Sequence, residues 1–230
     1  MTIGNGVTTI GEGAFSFCTS LTSVTIPDSV TTIGERAFSF TSLTSVTIPD
    51  SVTTIGEAAF CVCTSLTSVT IGNGVTTIGN GAFKDCKSLK EFKGKFAAVG
   101  GRCLIVDGVL NAFALGCGAT QYTIPDSVTT IGERAFSFCT SLTSVTIPDS
   151  VTTIGEGAFY GCSSLTSVTI GKSVSEIGKE AFKGCNIDTI VCYPKIPPKT
   201  NDSFDRFENL IIPTGCEEAY ANSDWGQYLK

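Results

Sequence analysis

The sequence contains no histidine among its 230 residues. Histidine is the usual neutral-pH base and the commonest metal ligand, so Ser-His and Cys-His catalysis within this chain is excluded. Charged residues are scarce, at 16%, and a net charge of −6 argues against a nucleic-acid binder. No apolar run reaches the roughly 18 residues that a membrane helix needs, so no membrane span is predicted.

Threonine, glycine and cysteine are abundant instead, with 32, 25 and 11 copies. Hydrophobic residues make up 42% of the chain, which is enough to build a core. The first residues lack the basic and apolar regions of a signal peptide. Either the protein is cytoplasmic or a signal segment is missing from this chain, and the abrupt start within a repeat favours the second.

The sequence is an internal repeat of about 23 residues, which points to a solenoid. Its unit is I-P-D-S-V-T-T-I-G-E-x-A-F-x-x-C-T-S-L-T-S-V-T, and one unit is a residue short because it lacks the Cys expected between Phe40 and Thr41. The 53-residue step from Phe83 to Phe136 contains an atypical insert at about 94–123. The Ala-Phe pairs of the units end at Phe15, Phe38, Phe60, Phe83, Phe136, Phe159 and Phe182.

Each unit carries the pattern L-x-x-V-x-I, whose alternation has the period of a short strand. Val24 and Ile26 are expected to point inward, and Ser23 and Thr25 outward. An extended Val-Thr-Thr-Ile follows, and then Gly-Glu-x-Ala-Phe, which predicts a helical turn that buries Ala37 and Phe38. Because one unit cannot bury its own apolar face, the units are expected to stack into a parallel sheet with one strand per unit.

The pattern resembles the BspA-like (Treponema-type) leucine-rich repeat of bacterial surface proteins. The residues that carry the resemblance over about 3–192 are Leu43-x-x-Val46-x-Ile48-Pro49-x-Ser51-Val52-x-x-Ile55-Gly56-x-x-Ala59-Phe60-x-x-Cys63. The resemblance implies an α/β repeat fold, a right-handed leucine-rich-repeat solenoid (horseshoe) with a parallel β-sheet on its concave side. It also implies surface exposure and protein binding, most often in adhesion.

Two domains are predicted, a solenoid over 1–192 and a C-terminal cap over 193–230. Within the solenoid, Asp107-Gly108 between apolar runs predicts a β-hairpin insert, either paired with the sheet or separate from it. In the cap we expect a last strand at 210–212, a short helix at 217–220 and Trp225 folded onto the final layer. The first layer lacks a preceding strand and exposes an apolar edge, so a partner chain or self-association is possible there.

The predicted partner-binding residues are the outward positions of the strands. These residues form either a broad, uncharged contact surface for a partner, or a set of soluble residues that are present only because they favour β-strands. In one unit Lys90, Glu91 and Lys93 replace the hydroxyl residues, within a lysine-rich stretch of net charge +3. This replacement indicates either a binding hot spot or a repeat whose sequence has diverged. The set comprises Thr22, Ser23, Thr25, Thr44, Ser45, Thr47, Thr67, Ser68, Thr70, Lys90, Glu91, Lys93, Thr120, Gln121, Thr123, Thr143, Ser144, Thr146, Thr166, Ser167 and Thr169.

Other candidate sites have simpler structural interpretations. Cysteines recur once per repeat and are expected to be buried free thiols; Cys192 with Cys216, or Cys103 with Cys117, are the alternative disulfides. The repeated acids form columns that predict a solvated rim rather than a calcium site. The cysteines that recur once per repeat, which we call the cysteine ladder, are Cys18, Cys63, Cys86, Cys139, Cys162 and Cys185. The two acidic columns are Asp28, Asp50, Asp126 and Asp149, and Glu12, Glu35, Glu57, Glu133 and Glu156.

No catalytic residue, cofactor or metal is therefore predicted. The favoured hypothesis is a non-enzymatic, extracellular or cell-surface interaction module that binds a protein partner, either a host matrix protein or a bacterial surface protein, through the concave face. The alternative is a structural spacer array that presents another domain.

Overall fold

The structure, a computed structural model, describes residues 1–229, so Lys230 of the predicted cap lies outside the described residues. The chain forms two compact units, Met1–Cys117 and Gly118–Lys230. Both are built mainly from short parallel strands stacked in register, as predicted for a repeat solenoid.

The first unit contains nine strands and two single-turn 3-10 helices, at Val99–Gly101 and Leu115–Cys117. The strands are β1 (Thr9–Ile10), β2 (Thr32–Ile33), β3 (Ser45–Ile48), β4 (Thr54–Ile55), β5 (Ser68–Ile71), β6 (Thr77–Ile78), β7 (Glu91–Gly94), β8 (Cys103–Val106) and β9 (Val109–Phe113).

The second unit contains nine strands, helix α1 (Glu217–Ala221) and a 3-10 turn at Gly226–Tyr228. The strands are β10 (Gln121–Thr123), β11 (Thr130–Ile131), β12 (Ser144–Ile147), β13 (Thr153–Ile154), β14 (Ser167–Ile170), β15 (Glu176–Ile177), β16 (Thr189–Cys192), β17 (Lys199–Thr200) and β18 (Asn209–Ile211). Within residues 1–229 α1 is the only α-helix, so the α part of the predicted α/β repeat is small.

Most turns of the solenoid supply two strands rather than the one predicted, although in the first turns Thr2 and Thr25 form only an isolated bridge. In the first unit β3, β5 and β7 form one parallel ladder, and β1, β2, β4 and β6 form a second. The second ladder consists of the Val-Thr-Thr-Ile segments, which were predicted only to be extended. Because identical segments are stacked in register, their free backbone groups find partners in the next layer.

The Gly-Glu-x-Ala-Phe segment is a run of tight turns, and the predicted helical turn is wrong. Its third residue has a positive φ in every repeat, for example 51° at Arg36 and 52° at Ala58, which breaks a right-handed helix. The N–H groups of Arg36 and Phe38 donate instead to the next layer, at Glu57 O (2.9 Å) and Ala59 O (2.8 Å). Stacking therefore replaces the hydrogen bonds that a helix would make within itself.

The repeat phenylalanines form the centre of the core, as predicted. Phe38 and Phe60 are fully buried, and their ring centroids are 5.2 Å apart in nearly parallel planes. In the second unit the column runs through Phe136, Phe159 and Phe182, and continues to Phe204. Each ring therefore buries the face of the next, which a single repeat cannot do.

The predicted hairpin is confirmed as the antiparallel pair β8–β9. Asp107 and Gly108 have φ values of 48° and 78°, the left-handed pair that a type I′ turn requires. The hairpin is tied to the segment just before it, because the amide of Ile105 donates to the carbonyl of Phe96 at 3.0 Å. The repeat then resumes as predicted, with Tyr122 of β10 opposite Val145 of β12.

The segment after 192 adds a further turn before the chain caps itself, although the sequence there departs from the repeat pattern. Strand β17 pairs in parallel with β15, and β18 pairs with β16, so both ladders extend past the predicted solenoid end. The last strand, the short helix and the packing of buried Trp225 agree with the prediction. The domain boundary at 192 itself stays a prediction.

Candidate protein-interaction surface

The predicted partner-binding residues lie on the outward side of the ladders that begin with β3 and with β10, and of the segment 22–25 that precedes β3. We call this outward side, within each unit, the strand face. Parallel register aligns its positions into columns, so that Ser45 is opposite Ser68, and Ser68 is opposite Glu91. In the second unit Thr123, Thr146 and Thr169 form an equivalent column. None of the predicted residues is buried.

In four of the sets the first threonine has a structural partner. The hydroxyl of Thr67 donates to the carbonyl of Thr44 in the preceding layer at 2.9 Å, and that of Thr143 donates to Thr120 O at the same distance. Thr44 and Thr166 repeat the pattern at 3.4 and 3.3 Å. These hydroxyls connect the layers, so the serine and the second threonine of each set are the better candidates for contact with a partner.

The charged set interrupts the hydroxyl columns where the sequence predicts. Glu91 takes the register position of Ser68, and Lys93 that of Thr70. Lys93 Nζ lies 2.8 Å from Glu91 Oε1, and both side chains remain about half exposed. The break therefore presents an ion pair, and Lys90 is exposed beside it as a further positive charge.

A shallow depression of about 620 Å³ lies on the strand face of the first unit. Its lining includes five of the predicted residues: Ser23, Thr25, Ser45, Thr47 and Thr70. Asp28 and Asp50 also line it. Polar and apolar side chains line the depression in similar proportion, with Ile48 and Ile71 beside the hydroxyl groups.

Two aspartates of the acidic columns bind backbone amides of the neighbouring layer. Asp50 accepts the amide of Asn73 at 2.7 Å, and Asp149 accepts the amide of Lys172 at 2.8 Å. The Lys172 ammonium also donates to Asp149, and this hydrogen bond lowers the pKa of the carboxyl group. Over residues 1–229, no three His, Cys, Asp or Glu side chains are grouped so that they could hold a metal ion.

The eleven cysteines are all free thiols in the structure, including both alternative disulfide pairs. The residues of the cysteine ladder are buried as predicted, except Cys18, which is exposed because it lies in the first layer. The thiols of Cys86 and Cys162 each donate to a carbonyl of the preceding layer, at Phe60 (3.1 Å) and Phe136 (3.2 Å). A hydrogen bond with Cys63, together with burial, keeps the pKa of Cys86 well above its ordinary value. These thiols serve packing.

Sequence analysis missed a second concave surface, in the second unit. It lies beside the segment 193–199, where proline and lysine alternate with Tyr193 and Ile196. The signal in the sequence that could have revealed this surface was the presence of large apolar residues within a proline-rich segment. No segment of the described residues forms a helix that is long and apolar enough to cross a membrane.

Comparison with known proteins agrees with the fold. A family model described as the BspA type leucine rich repeat region matches residues 1–99 and 110–220, in six copies. No curated protein matches the chain significantly.

Several solved structures are similar. A leucine-rich repeat protein from Eubacterium ventriosum has a TM-score of 0.68 at 24% identity, over 93% of this chain and 72% of that one. A leucine rich cell surface protein from Faecalibacterium prausnitzii has a TM-score of 0.55 at 26% identity, with the same coverages. The pneumococcal vaccine antigen PcpA has a TM-score of 0.56 at 18% identity, over 97% of this chain and 72% of that one.

Proposed function

Because the chain belongs to the BspA-type leucine-rich repeat family, we propose that it is a non-enzymatic protein–protein interaction module that acts at the cell surface or after secretion. In this proposal it binds protein partners through the strand face, in an adhesion-type role. The partner class is a host matrix protein or a bacterial surface protein. The description of the Faecalibacterium prausnitzii relative as a cell surface protein supports this location.

The observation that carries the proposal is the alignment of exposed hydroxyl side chains on the strand face. Ser45 and Ser68, like Thr47 and Thr70, follow one another in register across neighbouring strands. Short hydroxyl side chains on a paired strand have little conformational freedom to lose, so a partner can hydrogen-bond to them at low entropic cost. The depression of about 620 Å³ gives this surface the concave shape that a convex partner needs.

A structural spacer is the second candidate, and the interlayer hydrogen bonds of the threonines favour it. Thr67 and Thr143 direct their hydroxyls at the preceding layer rather than at a partner. A repeat selected to extend a molecule would keep such threonines and need no binding surface. Self-association through the apolar first layer remains a prediction under either function.

Binding to purified matrix and bacterial-surface proteins, measured by surface plasmon resonance, separates these functions. The test variant is the triple substitution Lys90→Thr, Glu91→Ser and Lys93→Thr, which restores the hydroxyl set. We expect it to change the affinity of at least one partner about tenfold, because a few central residues dominate most interfaces.

Lys87→Thr is the matched control, since it removes the same net charge at an exposed position outside the strand face. It should leave binding unchanged. A chain that binds none of the proteins in the panel would favour the spacer. Equal effects of the triple substitution and of the control would count against the strand face.

A further inference from the structure

A mostly apolar groove of about 680 Å³ opens beside the last turns of the second unit. It does not include the predicted strand-face residues. Its volume falls within the range of about 300–1,000 Å³ that is typical of ligand sites. We call it the C-terminal groove; its lining is Lys172, Ser173, Val174, Ser175, Tyr193, Lys195, Ile196, Pro197, Lys199 and Pro213.

The loop that forms one wall of the C-terminal groove is held at both ends. Tyr220 is buried and donates its hydroxyl to the carbonyl of Pro194 at 2.7 Å. Trp225, also buried, donates its indole N–H to the carbonyl of Pro198 at 2.8 Å. The cap therefore fixes the loop between these prolines, whose rings further restrict the backbone.

This anchored loop holds Ile196 in solvent, where 83% of the residue is exposed. Tyr193, on the same wall, is 49% exposed. Exposing a large apolar side chain sacrifices the free energy that its burial would provide. A rigid loop that nevertheless holds it outward is already arranged for binding, so a partner that covers Ile196 gains this free energy without ordering the loop.

The charge of the groove indicates the sign of its partner. Three lysines and no acidic residue line it, in a chain whose net charge is −6. Lys172 is paired with Asp149 at 2.8 Å, and Glu176 lies opposite Lys199 in the β15–β17 ladder. Among the described residues, Lys195 has no ion pair within 4 Å, so it is the cation that a bound carboxylate would meet.

We infer that the C-terminal groove binds an acidic segment of a partner protein, which places a bulky apolar side chain against Tyr193 and Ile196 and a carboxylate beside Lys195. The site is separate from the strand face, and it can therefore exist whether or not the strand face binds a partner. Electrostatic attraction sets the orientation of the segment, and burial of the apolar side chain supplies most of the affinity.

Fluorescence anisotropy with the full chain and a labelled peptide, Glu-Asp-Glu-Leu-Phe-Glu-Asp-Glu, tests the inference. We expect saturable binding that weakens as ionic strength rises, because salt screens the lysines. Replacing Leu-Phe by Ser-Ser in the peptide, or its acids by lysine, should each weaken binding about tenfold or more. Ile196→Ser and Lys195→Glu in the protein should do the same, and because both residues are exposed the fold should be kept.

Two variants with the same chemistry elsewhere serve as controls. Ile211→Ser removes an exposed isoleucine that does not line the groove, and Lys179→Glu reverses an exposed lysine outside it. Both should bind the peptide as the unmodified chain does. Loss of binding in the controls equal to that in the groove variants would overturn the inference.

Two further results would also overturn it. One is the absence of saturable peptide binding. The other is binding of dodecanoate at the groove, measured by its loss in Ile196→Ser, together with no binding of the peptide, which would make the groove a site for small amphiphiles. Neither result bears on strand-face binding, which is measured with other partners and other variants.

Discussion

The hydroxyl of Thr41 lies 3.2 Å from Sγ of Cys63 and donates to the carbonyl of Phe38 at 2.9 Å. Cys63 donates to the same carbonyl at 3.1 Å. In the one repeat that is a residue short, a buried threonine thus stands where other repeats have a cysteine, and the stack continues across the deletion.

Thr41→Val should lower the free energy of unfolding by about 0.5–1.5 kcal/mol, the net value of one hydrogen bond. The cost stays small because Phe38 O keeps the Cys63 donor. Urea denaturation followed by circular dichroism measures it. Thr64→Val, at an exposed position, should change stability by less than about 0.5 kcal/mol; equal effects of the two substitutions would contradict the role of Thr41.

Phe60→Ala should destabilise the first unit by about 3–5 kcal/mol, because it leaves a cavity between two stacked rings. Phe38 and Phe83 lie 5.2 and 5.3 Å from Phe60, measured between ring centroids. Phe17→Ala is the control, since Phe17 is 67% exposed, and it should cost less than about 1 kcal/mol. Thermal unfolding of both variants checks this, and a similar loss of stability in both would refute the central role of the column.

Gly81→Ala should cost about 1 kcal/mol, although the structure has room for the added methyl group. The nearest atoms to that methyl are side-chain carbons of Lys84, the closer at 3.5 Å, so the cost comes from the backbone, which has φ = 61°. Gly11→Ala, with nothing within 4 Å, should be neutral or stabilising. Chemical denaturation compares the two, and an equal response would mean that the turn geometry does not limit the sequence.

Alkylation with iodoacetamide should modify Cys18 before the buried ladder cysteines, because Cys18 alone among the ladder positions is exposed. Burial raises the pKa of Cys192 to about 11. At pH values below that pKa the neutral thiol predominates, and the thiolate that reacts is scarce. Cys192 should therefore stay protected in the folded protein at about pH 9 and react once urea exposes it.

Mass spectrometry of the digested protein follows each site separately. Cys18→Ser should remove the fast reaction and leave the slower ones unchanged. Labelling of Cys63 or Cys86 in the folded chain as fast as that of Cys18 would show that the layers open readily in solution.

The repeat made the core predictable but did not reveal the conformation of the turns between the strands. Val46, Ile48 and Phe60 recur at fixed spacing, and such a spacing identifies the inward positions without coordinates. Gly-Glu-x-Ala-Phe was misinterpreted because its local pattern also suits a helical turn. Only the layer-to-layer hydrogen bonds, such as Phe38 N to Ala59 O, select the left-handed residue at Arg36.

The extra turn after 192 shows the same limit. Ser203 and Phe204 occupy the place of Ala-Phe, and the amide of Phe182 donates to Ser203 O at 2.8 Å as its equivalents do in earlier layers. The sequence there shares few letters with the repeat, so the repeat pattern alone does not indicate that this segment continues both ladders. Stacking against an existing layer supplies the template that the segment lacks.

The sequence by itself determined the repeat length, the inward residues, the hairpin at Asp107-Gly108 and the columns of the strand face, because each follows from local spacing. Only the tertiary structure decided which threonine hydroxyls serve the stack and which loop holds Ile196 in solvent. Those outcomes depend on the layer next to each residue: Thr67 needs the carbonyl of Thr44 in the preceding layer, and the loop at Ile196 needs Tyr220 and Trp225, which lie more than 20 residues away in the chain.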